Sequence, residues 1–143
     1  MISATAGGKI YRRMPVRRNP LRGQGVPVRT AICHYDDCRK ATSSAFATNV
    51  FANAADLAIK DTPKQFQNIT DTNATMTKEF CANWGSQFFG FSSRGPTIRQ
   101  VKVGTIDDAS FVNPQIEVYK IRKLPNVGLS DESVRFEKER PPS

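Results

Sequence analysis

At 143 residues, 38% hydrophobic and 24% charged, the chain is sized for one domain with a modest core, and its composition excludes global disorder. No apolar run reaches the roughly 20 residues of a membrane-spanning helix, and no N-terminal apolar segment reads as a secretory signal, so a cytoplasmic protein with no membrane partner is expected. The formal net charge of +8 describes one end of the chain: residues 1–30 carry Lys9, Arg12, Arg13, Arg17, Arg18, Arg22 and Arg29 with no acid, and the remainder is nearly neutral.

In chain order, residues 1–27 form a basic arm in which Pro15, Pro20, Pro27, Gly23 and Gly25 interrupt any long amphipathic helix. A solvated leader is expected there. A nucleic-acid tail or organelle presequence is the alternative, and Tyr11, the arm's one aromatic residue, provides no stacking ladder for bases. Residues 28–32 read as a short strand that delivers Cys33. Residues 39–48, rich in Ala, Ser and Thr, predict a short helix or turn after Cys38. Residues 57–69 read as strand, turn and strand, broken at Pro63. Residues 75–81 alternate into a tight turn at Asn83-Trp84-Gly85. Residues 87–91 and 98–103 predict two further strands, Asp107-Asp108 a turn, and residues 116–121 the last strand. Residues 137–143 read as a frayed tail. The sum is a mainly β domain over residues 28–136, with six or so short strands and hardly any helix. Phe46, Phe88, Phe89 and Phe91 are expected in its core.

Cys33, Cys38 and Cys81 are an odd number in a chain without a secretion signal, which favours free thiols or metal ligands over a disulfide framework. The C-x4-C spacing of Cys33 and Cys38 is by itself a weak zinc signal, because zinc sites favour C-x2-C knuckles and four ligands. Asp36-Asp37 and Asp107-Asp108 sit at turns, where Asp serves backbone amides, so they are assigned structural roles. His34 follows Cys33 directly, so on a strand it points away from the cysteine's face.

The segments CHYDDCRKATSSAF, FCANWGSQFF and VKVGTIDDAS, in this order, resemble the glutathione-dependent formaldehyde-activating (GFA) family, which also contains centromere protein V. The family's pattern is C-H-C-x-x-C-R-K, then F-C-x-x-C-G-S, then G-T-L/I-D-D. The resemblance implies a β-tent of antiparallel sheets with one structural and one catalytic zinc. It also implies carbon–sulfur lyase chemistry on glutathione, or another small thiol, and an aldehyde, with formaldehyde and glutathione giving S-hydroxymethylglutathione.

Carried over residue by residue, Cys33 and Cys38 are catalytic-zinc ligands, and Tyr35 stands at the middle ligand position. Cys81 remains of the structural set, with Trp84 in place of its partner, and Thr5 and Gly7 fall where the N-terminal cysteines belong. Tyrosine ionises only near pH 10, so phenolate is a costly zinc ligand at neutral pH, and reduced or absent zinc occupancy follows. Arg39 and Lys40 are candidates for binding substrate carboxylates. Three functions stay open: a GFA-type lyase with impaired zinc binding, a catalytically inactive accessory or binding protein of the same fold, and a nucleic-acid-associated protein that uses the arm.

Overall fold

The computed structural model describes residues 16–18, 28–59, 62–83, 85–106, 109–125, 127–128 and 134–141. The arm apart from residues 16–18, together with Trp84 and Asp107-Asp108, lies outside them. In chain order the elements are β1 (Val16–Arg18), β2 (Arg29–Cys33), α1 (Asp36–Thr42), β3 (Ala47–Asn53), β4 (Leu57–Ile59), β5 (Lys64–Ile69), β6 (Thr75–Phe80), β7 (Gln87–Ser92), β8 (Ile98–Lys102), β9 (Ile116–Val118) and β10 (Val134–Arg135). Short 3₁₀ turns occupy Ala54–Asp56, Val103–Thr105 and Lys120–Arg122.

Eight strands form one sheet in the order β10-β9-β2-β3-β8-β7-β6-β5, and β1 pairs with β4 in a separate two-stranded ribbon. The molecule is mainly β, as expected. The large sheet is mixed, however, because β9 runs parallel to both β2 and β10.

Strand alternation divides this sheet into two faces. On one face Val50, Val101 and Phe89 lie in register across β3, β8 and β7, and with Phe88, Ile106 and Cys81 they form the main apolar cluster. Burial of each large side chain there contributes roughly 1.5–3 kcal/mol. The other face carries Ala31 and Cys33 of β2, Asn49 and Phe51 of β3, Ile98 and Gln100 of β8, and Ile116 and Val118 of β9, all of which line a cavity.

Three local features depart from the sequence expectations. The helix spans Asp36–Thr42 rather than lying within residues 39–48. Asp36 and Asp37 occupy its first turn and Arg39 and Lys40 its last, which matches the helix dipole at both ends. Ser43, at φ 52°, then ends it in the left-handed conformation. Residues 47–53, of which 47 and 48 fall within the helix-or-turn reading and the rest are unassigned from sequence, form a central strand because β2 and β8 pair with both its edges. The last strand of the 116–121 reading stops at Val118, since Tyr119 turns to φ 55°. Among the described residues no helix is long and apolar enough to cross a membrane.

Candidate functional site

Cys33 ends β2, fixed between Ala47 of β3 and Val118 of β9. The chain then turns through His34 and Tyr35, where the extended backbone of Tyr35 (φ −57°, ψ 136°) redirects it into α1. That turn returns Cys38 to Cys33. The two thiols are hydrogen-bonded to one another, and the Tyr35 backbone N–H donates to the Cys33 sulfur. Cys33 is buried, Cys38 is half-buried, and neither forms a disulfide.

Lys102 completes the local electrostatics. It is buried on β8, and its Nζ donates to Asn49 Oδ1 at 2.8 Å. Burial lowers its pKa, while the two nearby cysteines pull the value back up. Cys38 is shifted down, chiefly because Cys33 donates to its sulfur and secondarily because Lys102 is close; Cys33 is shifted up as the donor of the pair and by its burial.

Both cysteines open onto a cavity of about 350 Å³, within the size range of small-ligand sites. Its apolar walls include Phe51, Ile98, Ile116 and Val118, and its cations are Arg29, Arg94 and Arg140. Arg94 ion-pairs with Glu139 at 3.8 Å and donates to the Thr72 carbonyl. The Arg29 guanidinium lies over the Phe51 ring at 4.3 Å, and burial together with the charge of Arg140 lowers its pKa. Among the described residues neither Arg29 nor Arg140 has a carboxylate partner. A second cavity, of about 510 Å³, is lined by Ser43, Ser44, Ser86 and Lys102.

Tyr35 does not join the thiols as a third donor. Its ring stacks on Tyr119, with centroids 4.4 Å apart and planes at 25°. Its phenol accepts from the backbone N–H of Asp71, and burial, with the nearby Asp37 charge, raises its pKa. Tyr119 in turn donates its hydroxyl to Asp71 Oδ1 at 2.7 Å. Its left-handed backbone is uncommon for a non-glycine residue; the Tyr35 stack, the Asp71 bond and its own N–H to the Lys138 carbonyl hold it there.

The other sequence candidates fall elsewhere. Cys81 belongs to the apolar cluster on the opposite face. Arg39 lies 3.6 Å from Asp36 on the same helix, Lys40 is exposed, and neither lines the cavity. His34 points away from Cys33, as alternation requires, and its Nε2 donates to Glu117 Oε1 at 2.6 Å. Among the described residues no group of three or more His, Cys, Asp or Glu side chains is placed to hold a metal ion. Sequence reasoning missed Lys102, Asn49, Arg29, Arg140 and the Tyr119–Asp71 pair. The only available signal was alternation, since Lys102 and Asn49 share the face of Cys33 once the β2–β3–β8 order is known.

These features define a mainly β protein whose sheet presents a paired-thiol, arginine-lined cavity. A family model described as glutathione-dependent formaldehyde-activating enzyme matches residues 20–122, and the chain belongs to that family. No curated protein matches the chain.

Proposed function

We propose that the protein acts on a thiol–aldehyde adduct of the glutathione type, by carbon–sulfur lyase chemistry, in the cavity shared by Cys33 and Cys38, and that it does so without a tightly held zinc ion. One observation carries this: both thiols and the guanidinium groups of Arg29 and Arg140 line the same cavity. A small peptide thiol has one sulfur and two carboxylates, which matches that distribution.

A chemically active zinc uses three protein ligands and keeps a fourth position open. Here two thiols remain, the Tyr35 oxygen is engaged by Asp71 and stays protonated, and Cys81 lies on the other face of the sheet. That donor set does not fit a zinc centre, so the chemistry is assigned to the chain's own groups. The substrate thiol gives its proton to the Cys38 sulfur and its sulfur bonds to the aldehyde carbon; the carbonyl oxygen then takes the proton back from Cys38. The reverse sequence breaks the carbon–sulfur bond. Cys33 and Lys102 keep Cys38 in its proton-accepting form, and the apolar walls strengthen each charge contact by excluding water. Arg29 and Arg140 hold the carboxylates, while Arg39 and Lys40 add positive charge on α1 that favours approach of an anion. A reducing cytoplasm keeps such thiols free.

The displaced Tyr35 also favours a second reading, in which the cavity binds the adduct without turning it over and the protein serves an accessory role. Calorimetry with glutathione, and nuclear magnetic resonance of formaldehyde–glutathione exchange, separate the two. On the leading reading the wild type accelerates exchange, Cys38→Ser abolishes that acceleration while still binding, and Arg29→Ala or Arg140→Ala weakens binding about tenfold, or roughly 1.4 kcal/mol. Binding without acceleration supports the accessory reading. Absence of binding overturns both.

A further inference from the structure

The sulfur pair has a second chemistry that the loss of a third donor opens. A thiol held by zinc is protected from oxidation; Cys33 and Cys38, packed in one cluster and opening onto one cavity, are not. Cys38 is half-buried and reachable, whereas Cys33 is 7% exposed and accessible chiefly to its neighbour. Cys81 offers a contrast within the same chain, since it is buried among Val50, Phe88, Phe89 and Val101 and lines neither cavity.

We infer that Cys33 and Cys38 form a dithiol site that exchanges with a small carboxylate-bearing disulfide and closes an internal Cys33–Cys38 disulfide. Cys38 attacks one sulfur of the small disulfide, forming a mixed disulfide and releasing the first thiolate, which takes up a proton. Cys33 then loses its proton to solvent and attacks the Cys38 sulfur, releasing the second small thiol. Two electrons pass from the cysteine pair to the small disulfide, so one dithiol and one disulfide give one internal disulfide and two small thiols. A sulfur–sulfur bond needs the atoms about 2 Å apart with their Cβ atoms close, and the turn at His34-Tyr35 packs Cys38 against the buried cluster that holds Cys33. Arg29 and Arg140 supply the carboxylate contacts that seat the small disulfide. The inference stands on the shared packing cluster and the shared cavity, and it holds whether or not the lyase chemistry does. Where both hold, oxidation switches off the Cys38 proton acceptor.

The test uses the full reduced chain in buffers of reduced and oxidised glutathione, quenched, alkylated and digested with trypsin. Cys33 and Cys38 fall in one tryptic peptide, residues 30–39, and Cys81 in another, residues 79–94. Expected are loss of two hydrogens and of alkylation in peptide 30–39, at an oxidised-to-reduced ratio roughly tenfold below that needed by the isolated synthetic peptide 30–39. Cys81 stays a thiol, and in Cys33→Ser a glutathionyl group accumulates on Cys38. The inference is overturned if the free peptide oxidises as readily as the protein, if the wild type stops at the mixed disulfide, if Cys81 oxidises equally fast, or if added zinc protects the pair. Because lyase turnover is measured under reducing conditions, failure here leaves that reading to its own test.

Discussion

Tyr35→Cys places a third sulfur beside Cys33 and Cys38 and removes the contacts that the tyrosine makes in its place. Those contacts are a stacked pair with Tyr119 at 4.4 Å and the hydrogen bond from the Asp71 amide. Stacking of this kind contributes about 0.5–1.5 kcal/mol beyond area burial, and a hydrogen bond about 0.5–1.5 kcal/mol. The metal-free variant should therefore lose roughly 1–3 kcal/mol. For a chain of this length the melting temperature then falls by about 3–10 °C. Three thiolates make a competent ligand set, so zinc at about a hundredfold excess over its dissociation constant returns about 2.7 kcal/mol and nearly restores the wild-type midpoint. Thermal unfolding of both proteins, with chelator and with zinc, measures all four values. The wild type should respond to zinc by less than a degree or two. An equal zinc-dependent rise in wild type and variant would refute the argument, because the phenol would then be acting as a ligand. A variant as stable as wild type in chelator would show that the stack with Tyr119 contributes nothing.

Two further outcomes follow from groups beside the site. Glu117 is fully buried and holds His34 at 2.6 Å, Arg135 at 3.0 Å and Lys123 at 3.9 Å; Glu117→Leu removes the carboxylate these three share and should cost about 3–5 kcal/mol in denaturant unfolding. A loss below about 1 kcal/mol would mean the cluster is balanced by solvent, and the double change with His34→Phe should recover part of the cost. The folded pKa of Tyr119 is raised, by burial first and by Asp71 second, so its phenol stays protonated where the unfolded chain ionises. Its contribution is whole below about pH 10 and is lost as pH rises further. Tyr119→Phe should unfold with a shallower alkaline limb than wild type, and an unchanged limb contradicts that assignment.

How much of this was legible beforehand depends on whether the information was local. β6 and β8 announce themselves by apolar alternation, β2 and β7 by short apolar or aromatic runs, and the outward direction of His34 follows from alternation. β3 did not, because Ala47, Thr48, Asn49 and Ala52 carry little hydrophobic contrast, and its identity comes from β2 and β8 on either side. The cysteine pair was visible as a spacing. Its surroundings were not: Lys102 lies 69 positions from Cys33 in the sequence, and only the β2–β3–β8 order puts the two on one face. Arg140 was hidden in a segment read as tail, whose neighbour Lys138 in fact accepts from the Tyr119 amide.

The cavity does not need a metal to hold its shape. Its walls on β2, β3, β8 and β9 are fixed by the ladder of the sheet, with Ala31 bridging Asn49 on one side and Ile116 on the other. What a bound ion would add at this end is a crosslink between the β2–α1 turn and its surroundings. Tyr35 supplies that crosslink in another form, by stacking on Tyr119 after β9 and meeting Asp71 between β5 and β6. Aromatic contact can replace a metal as a structural tie. It cannot replace it as a Lewis acid, which withdraws charge from a bound sulfur or oxygen. On the proposed reading the chemistry runs on groups that shift protons or electrons unaided, Cys33 and Cys38 in the wall of this cavity, with Lys102 buried nearby on the same face of the sheet.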